Sequence, residues 1–239
     1  MALFERRSPL QRSYDKIADA YARQFHDELS HQPGERGLLD SFAEAVVDSG
    51  PCVDLGCGPG HVTRYLHERG VDIHGIDVSN AMVKRARALN PGIRFERGDL
   101  SRLKHKDNHW AAAVAFYSLV HLSPRELVPA LLEIHRVLEP GGALLLGFHT
   151  DRIDATTDHE HLDHWLDQEV DLDFYFYRIL HMLVNLEHAG FAQVSSYRRG
   201  PMDGREEQTG RAYILAEALP EIPPARRGPS LAGLATIGA

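Results

Sequence analysis

Three glycines and an acid stand close together in VDLGCGPG, residues 53–60. Gly56, Gly58 and Gly60 follow a short apolar run and precede a helical pattern, so the backbone can turn tightly and lie flat against a ligand. The carboxylate of Asp54 would oppose a pyrophosphate held at the following helix N-terminus. The G-x-G-x-G spacing also differs from the G-x-G-x-x-G of dinucleotide sites. The loop therefore favours a cationic ligand, although a plain strand-to-helix turn is the alternative.

Two more acids follow apolar runs further along the chain. Asp77 ends such a run in GIDVS, about 20 residues after the glycine loop, where an acid can accept hydrogen bonds from two ribose hydroxyls. Asp99 follows in FERGDL, where it could accept from the exocyclic amine of an adenine. Either acid alone could be a helix cap or a turn residue. Three acids at the ends of successive strands, beside a glycine loop, predict a nucleoside site.

Strand and helix patterns alternate along most of the sequence, and these elements must position the three acids. Amphipathic helices are predicted at about 9–29 and 35–48, and at about 124–138. Predicted strands are PCVDL, VDIHGIDV, IRFERGD, HWAAAVAFYS and GALLLGFHT. Further along, FYFYRILHMLVNLEHAGF is predicted to form a helix that ends at Gly190. Two last strands, FAQVSSYRRG and RAYILAEA, are predicted to be joined by a polar hairpin loop. The alternation predicts a mostly parallel sheet with helices on both faces and ligands at its carboxyl edge.

Composition narrows the class of protein. The 239 residues are 43% hydrophobic and 25% charged, as in ordinary globular proteins, and fit one domain. A net charge of −8 disfavours a nucleic-acid partner. We interpret Cys52 and Cys57 as reduced thiols of a cytoplasmic protein, because two nearby cysteines do not make a disulfide framework. No signal-peptide pattern and no membrane-spanning stretch is expected.

Together these motifs resemble the class I S-adenosylmethionine-dependent methyltransferases, over roughly residues 10 to 218. VDLGCGPG, GIDVS and FERGDL are similar to the first three motifs of that family. AFYSLVHLS followed by RVLEPGGALLL is similar to the segment around strands four and five, and LEHAGF with two final strands to the antiparallel edge. The resemblance implies a Rossmann-like seven-stranded mostly parallel sheet, with helices on both faces and an antiparallel last strand.

The resemblance also implies roles for individual residues. Gly56, Gly58 and Gly60 would pass beside the methionine part of S-adenosylmethionine, with Asp54 at its ammonium end, and Asp77 would hold the ribose. The remaining cofactor contacts would be Val78 and Met82 along the adenine, Asp99 and the backbone of Leu100 at its polar edge, and Phe116 and Tyr117 around the sulfonium. The first helix would fold over the cofactor, with Tyr21 contacting the cofactor and Tyr14 contacting the substrate. Core packing is the alternative for both tyrosines.

Methyl transfer from a sulfonium needs mainly alignment of the acceptor and exclusion of water. A base helps when the acceptor is a phenol, a carboxylic acid or an amine, and His is the side chain best tuned for this at neutral pH. The candidate catalytic residues are His149 and His121, both at the carboxyl edge, with a structural role as the alternative. Aromatic residues in 151–178 suit a planar or hydrophobic acceptor. The candidate substrate contacts there and beyond are Trp165, Tyr175 and His181.

HEHLDH, residues 159–164, resembles the metal-binding signature of metallo-β-lactamase-like hydrolases. Such a hydrolase needs further ligands from separate strands, and the only later histidines are His181 and His188, in one predicted helix. We therefore expect no metal and interpret the segment as a helix start capped by Asp158, with Leu162, Trp165 and Leu166 inward. It would begin a substrate cover.

The sequence thus predicts a methyltransferase domain over 1–218, with a helical lid at 9–48, a substrate-covering segment at about 151–178, and a flexible tail at 219–239. The predicted reaction is methyl transfer to a small aromatic or hydrophobic molecule by a cytoplasmic monomer or homodimer. One alternative is a non-catalytic S-adenosylmethionine-binding regulatory protein. The other is a zinc hydrolase using His159, His161, Asp163 and His164.

Overall fold

The computed structural model describes residues 8–152, 158–202 and 209–221. Its main sheet has seven strands in the order β3-β2-β1-β4-β5-β9-β8. These strands are β1 Cys52–Leu55, β2 Ile73–Asp77, β3 Phe95–Arg97, β4 Trp110–Phe116, β5 Leu138–Arg152, β8 Phe191–Arg199 and β9 Thr209–Ala218. The strands from β3 to β5 pair in parallel, and β9 is antiparallel to both β5 and β8. The predicted sheet and its antiparallel last strand are confirmed.

Six helices surround this sheet in the described part of the chain. They are α1 Pro9–Phe25, α2 Pro33–Val46, α3 His61–His67, α4 Asn80–Leu89, α5 Pro124–Val137 and α6 Ile179–His188. Serines begin three of them: Ser8 and Ser79 accept from Gln11 and Met82 amides, and Ser123 forms a capping box with Glu126. The predicted helix at 9–29 is shorter, because a separate 3-10 turn occupies Glu28–His31.

The core lies on both faces of the sheet. One cluster joins β4, β5 and β9 to α5 and α6 and includes Trp110, Phe148 and Phe191. The other joins the opposite face to α2 and α3 and includes Phe42 and Leu66. Strand β4 is buried along almost its whole length, as its continuous apolar run requires between two helical layers. This rigid centre fixes the carboxyl ends of β1, β2, β4 and β5.

The prediction of a helix start at residues 158–166 is wrong. Residues His159–Trp165 form β6 and Gln168–Tyr175 form β7, a separate antiparallel hairpin. The sequence alternates exposed and inward residues along both strands, which is the period of a strand rather than of a helix. Leu166 and Asp167 make the turn with φ of 50° and 60°, the left-handed geometry of a two-residue hairpin turn.

Other boundaries differ less. The predicted helix from Phe174 begins only at Ile179, because Phe174 and Tyr175 belong to β7. Strands β8 and β9 are confirmed, while most of the loop between them and the predicted tail beyond residue 221 lie outside the described residues. Within the ranges described, no helix combines the length and apolar character needed to cross a membrane.

Candidate cofactor and acceptor site

The glycine loop between β1 and α3 is fixed by close packing. Gly56, Gly58 and Gly60 have φ of 77°, 50° and 83°, a region that side chains other than glycine rarely adopt. A Cβ on Gly56 would lie 2.2 Å from the Cβ of Ser118. On Gly60 it would lie 2.7 Å from the Phe95 ring. Two of the three glycines are therefore required by the protein's own packing as well as by the turn.

Asp54, at the third position of β1, is 2% exposed. One of its carboxylate oxygens accepts a hydrogen bond of 2.6 Å from the Thr63 hydroxyl in α3. Burial raises the pKa of Asp54 to about 6, because desolvation penalises the charged form. The carboxylate thus ties the glycine-loop helix to the sheet and places negative charge beneath the loop.

Asp77, the last residue of β2, is 9% exposed and joins the glycine loop to the start of α4. Its Oδ2 accepts from the Gly58 amide at 2.9 Å and its Oδ1 from the Ser79 amide at 2.8 Å. Burial raises the pKa of Asp77 to about 6 as well. Each carboxylate oxygen can accept a further hydrogen bond, so the residue fits a ligand that offers two adjacent hydroxyls.

The predicted adenine-side residues follow β2 and β3. Val78 is half-buried and Met82 is fully buried in the first turn of α4. Asp99 is exposed, and its Oδ1 accepts from the amide and hydroxyl of Ser101 at 2.9 and 2.7 Å. Leu100 packs against the main core cluster. The structure brings these residues to the carboxyl ends of β2 and β3, as predicted, and their cofactor contacts remain predictions.

Helix α1 lies over this cleft. The Tyr21 ring is 3.7 Å from where a Cβ on Gly58 would stand. Burial raises the pKa of the Tyr21 phenol, with further contributions from the carboxylates of Glu28 and Asp77. Asp15, which the sequence reasoning missed, accepts from the Ser79 hydroxyl at 2.7 Å and the Ala81 amide at 3.0 Å. It therefore caps α4 from another helix and holds α1 beside the strand end that carries Asp77.

The β6–β7 hairpin packs on the other side of α1, and together the two elements form what we call the cap. The Asp171 amide donates to the Ser13 hydroxyl at 2.8 Å, and Lys16 donates to the Glu169 carbonyl at 2.9 Å. Trp165 lies edge-on to Tyr14 and Tyr21, with ring centroids 6.4 and 5.6 Å apart. Within the segment predicted at 151–178, residues 159–175 thus form a hairpin whose aromatic residues face α1, and its role in covering a substrate stays a prediction.

His121 is held rigidly beneath the cap. Its Nδ1 lies 2.8 Å from the Asp173 carbonyl, which can only accept, so Nδ1 carries the proton. Its Nε2 therefore accepts from the Tyr14 hydroxyl at 2.7 Å. Burial lowers the pKa of His121 to about 4, so the ring is neutral at physiological pH. With both nitrogens engaged, His121 supports the structural alternative rather than the role of a base.

His149, at the end of β5, is half-buried and stands beside Tyr117 with ring centroids 4.7 Å apart. Its Nδ1 pairs with the Thr209 hydroxyl at 2.8 Å. Tyr117 has a φ of 54°, unusual for a bulky side chain, and its neighbour Phe116 stands edge-on to it at 6.1 Å. The structure therefore brings together two separately predicted site residues, Tyr117 and His149, near the carboxyl ends of β4 and β5.

A buried polar chain behind Tyr117 escaped the sequence reasoning. The Tyr117 and Tyr213 hydroxyls are 2.7 Å apart, and Tyr213 donates to Glu35 Oε1 at 2.5 Å. Arg199 also donates to Glu35, which is 1% exposed. The four residues come from α2, β8, β9 and the loop after β4, and Glu35 and Tyr213 are 178 positions apart. No local pattern signals such a contact.

Two predicted substrate contacts lie further out. The Tyr175 and His159 rings are 4.7 Å apart and tilted by 31°, and His181 is exposed on α6. His159 and His161 are also exposed, and both bind Asp173 Oδ1, at 2.8 and 3.0 Å. Among described residues, the one group with the geometry to hold a metal ion includes none of the hairpin histidines. The hairpin therefore gives no support to the hydrolase alternative.

Known proteins share the sequence pattern and the fold described above. A family model described as a methyltransferase domain matches residues 52–142, from β1 into β5. The DhpI–SAH complex has the same fold, with a TM-score of 0.69 and 17% identity over 89% of this chain and 97% of that one. Residues 52–142 therefore match a methyltransferase-domain family, and the sheet and its helices have the fold of the class I S-adenosylmethionine-dependent methyltransferases.

Curated relatives of this methyltransferase domain match over part of their length. A trans-aconitate 2-methyltransferase of Rhizobium meliloti is 34% identical over 142 residues, which are 59% of this chain and 52% of the relative. A malonyl-[acyl-carrier protein] O-methyltransferase of Pseudescherichia vulneris is 28% identical over 130 residues, 54% of this chain and 51% of the relative. The chain spans about half the length of these relatives.

Proposed function

We propose that this protein transfers the methyl group of S-adenosylmethionine to a small acceptor with a planar or hydrophobic surface. The observation that carries the proposal is the pairing of an acidic nucleoside cleft with an aromatic cap. Asp77 and the glycine loop bind the cofactor, and the cap closes over it. When bound, S-adenosylmethionine supplies an electrophilic methyl group on a positively charged sulfur.

The protein's own groups support binding of this cofactor. The carboxylates of Asp54 and Asp77 lie under and beside the glycine loop, where they favour a ligand with positive charge. Asp77 retains acceptor capacity for ribose hydroxyls. The Tyr21 ring covers the loop and limits access of water from the cap side.

The acceptor side supports a role in positioning and in proton removal. Tyr117 and His149 stand together near the ends of β4 and β5, and the rings of Tyr14, Trp165 and Phe174 pack against one another inside the cap. In this proposal His149 takes the proton from an acidic acceptor, while His121 and Tyr14 hold the cap in position. Both curated relatives named above have acceptors that carry carboxyl groups, so acids belong in the acceptor panel.

Two measurements test the proposal. Calorimetric titration with S-adenosylmethionine should show one site, and Asp77→Asn should weaken it. Transfer of a labelled methyl group should then be measured against phenols, carboxylic acids and amines, with the cofactor alone as background. Absence of cofactor binding would overturn the proposal, whereas binding with no transfer to any acceptor class would favour the regulatory alternative.

A further inference from the structure

A second group of chemically active side chains lies away from the cofactor cleft. His74 stands near the start of β2, Glu96 in the middle of β3, and His105 in the loop between β3 and β4. Asp77 is three residues beyond His74 on the same strand, roughly 10 Å along it. We call these three residues the histidine cluster.

The atoms of the histidine cluster converge. One ring nitrogen of each His and one carboxylate oxygen of Glu96 all lie within 4.8 Å of one another. His105 Nε2 is 2.9 Å from Glu96 Oε1, and His74 Nε2 is 3.9 Å from the same oxygen. A tetrahedral zinc ion with bonds of about 2.0–2.1 Å separates its ligand atoms by about 3.3–3.4 Å. The two measured distances bracket that separation.

The ligands are also oriented before any ion binds. The other oxygen of Glu96, Oε2, accepts a hydrogen bond of 2.6 Å from Arg94, which leaves Oε1 directed at the two histidines. The His105 and His74 rings pack against Trp110, with centroids 4.4 and 5.6 Å away. Rigid placement of this kind lowers the entropy cost of binding.

His74 Nε2 provides an independent sign of a missing ligand. This nitrogen is buried and forms no hydrogen bond with any residue in the described ranges. Buried polar atoms in proteins are nearly always paired, so an unpaired one requires an explanation. A cavity of about 470 Å³ lies beside His74, and its lining also includes Arg94, His109 and Trp110 but neither Glu96 nor His105.

We propose that His74, Glu96 and His105 bind one divalent transition-metal ion of the zinc class, with solvent completing the coordination. Two imidazoles and one carboxylate are a ligand set that zinc accepts. The ion would tie β2, β3 and the loop before β4 together. Its role would be structural, since it lies apart from the glycine loop and the acceptor side.

The test uses the untagged full chain after treatment with a chelator. Titration with Zn²⁺ should show one site, and the thermal midpoint should rise with free Zn²⁺. Glu96→Gln keeps the shape of the side chain and should weaken Zn²⁺ on the order of 10- to 100-fold or more, by analogy with losses at metal sites. His74→Ala should do the same. Circular dichroism identifies a variant that fails to fold.

A matched control removes the exposed hairpin histidines. The double variant His159→Ala, His161→Ala should keep the Zn²⁺ affinity of the parent, and Asp77→Asn should keep it too. Loss of binding in the hairpin variant, or full binding in Glu96→Gln and His74→Ala, would overturn the proposal. So would no Zn²⁺ binding by the parent chain. Because the readout is Zn²⁺ alone, it is independent of cofactor binding.

Discussion

The two sides of the candidate site are assembled differently. On the cofactor side, the glycine loop and its two buried carboxylates come from one continuous stretch, residues 54–79, in which Asp77 accepts from the amides of Gly58 and Ser79. The acceptor side joins Tyr14, Tyr117, His149 and Asp173 from four distant parts of the chain. A site built on one backbone turn should lose cofactor affinity and stability together when that turn is altered. A site built from long-range contacts should lose turnover in one variant and stability in another.

The largest combined loss of stability and cofactor affinity is expected for Gly56→Ala on the cofactor side. The new Cβ would meet Ser118 at 2.2 Å, and the left-handed backbone alone costs about 1–2 kcal/mol for a residue with a Cβ. We expect cofactor affinity to fall more than about tenfold, together with a lower thermal midpoint. Calorimetry and thermal unfolding measure both.

Gly37→Ala is the matched control for that substitution. Gly37 lies inside α2, and a Cβ there has no neighbour within 4 Å. Alanine in a helix interior should stabilise the fold by about 0.5–1 kcal/mol and leave cofactor binding unchanged. If Gly56→Ala binds the cofactor like Gly37→Ala, the loop is not the binding element.

On the acceptor side, His149→Ala should separate turnover from binding. Loss of a general base lowers turnover by about 10²- to 10⁴-fold, while cofactor affinity stays at the parent level. His121→Ala should behave differently, because it breaks hydrogen bonds to Tyr14 and Asp173 and so costs on the order of 1–3 kcal/mol of stability. Steady-state kinetics and denaturant unfolding distinguish the two variants. A fully active His149→Ala enzyme would remove that residue from the reaction.

The acids of the cofactor side predict a pH dependence with opposite signs for binding and stability. Burial raises the pKa of Asp77 from its ordinary value of 3.8 to about 6. Its contribution to the stability of the cofactor-free protein is therefore complete below about pH 4 and is lost as pH rises through about 6. Cofactor affinity should increase over the same interval, because the carboxylate is the better partner for a cationic nucleoside.

Asp77→Asn tests this assignment. This substitution should weaken cofactor binding by on the order of 1–3 kcal/mol at neutral pH. It should also reduce the increase in cofactor affinity with pH between pH 5 and 7. Asp54, whose pKa is also raised to about 6, keeps its own share of that slope. Titrations at several pH values supply the measurement. Equal slopes in the parent and the variant would contradict the role of Asp77.

Much of the cofactor side could be predicted from the sequence because its signals are local. The glycine loop and the position of Asp77 at a strand end each follow from a short pattern. The mostly parallel sheet with helices on both faces also followed from the alternation of strands and helices, together with the family resemblance. These features depend on backbone geometry, which a few neighbouring residues decide.

The acceptor side could be predicted only in part. His149 could be predicted from its position at a strand end and Tyr117 from the family resemblance. The pairing of Tyr213 with Glu35 and the capping of α4 by Asp15 could not, because they join residues far apart in sequence. The hairpin was missed because Leu166 and Asp167 lack the Asn-Gly or Asp-Gly signature of a tight turn. The residues of HEHLDHW alternate as a strand requires, but the same histidines and acids also fit the spacing of metal ligands and of a capped helix start.

The smallest effect concerns that hairpin turn. Asp167 is exposed and has a φ of 60°, which glycine adopts without strain, so Asp167→Gly should stabilise the hairpin by up to about 1 kcal/mol. Gln168→Gly, one residue later in β7, lacks a positive φ and should destabilise it by about 0.5–1 kcal/mol. Hydrogen exchange of the β6–β7 amides measures both. Cofactor affinity should not change in either variant, because the hairpin contacts α1 rather than the glycine loop; faster exchange in Asp167→Gly would contradict the turn geometry.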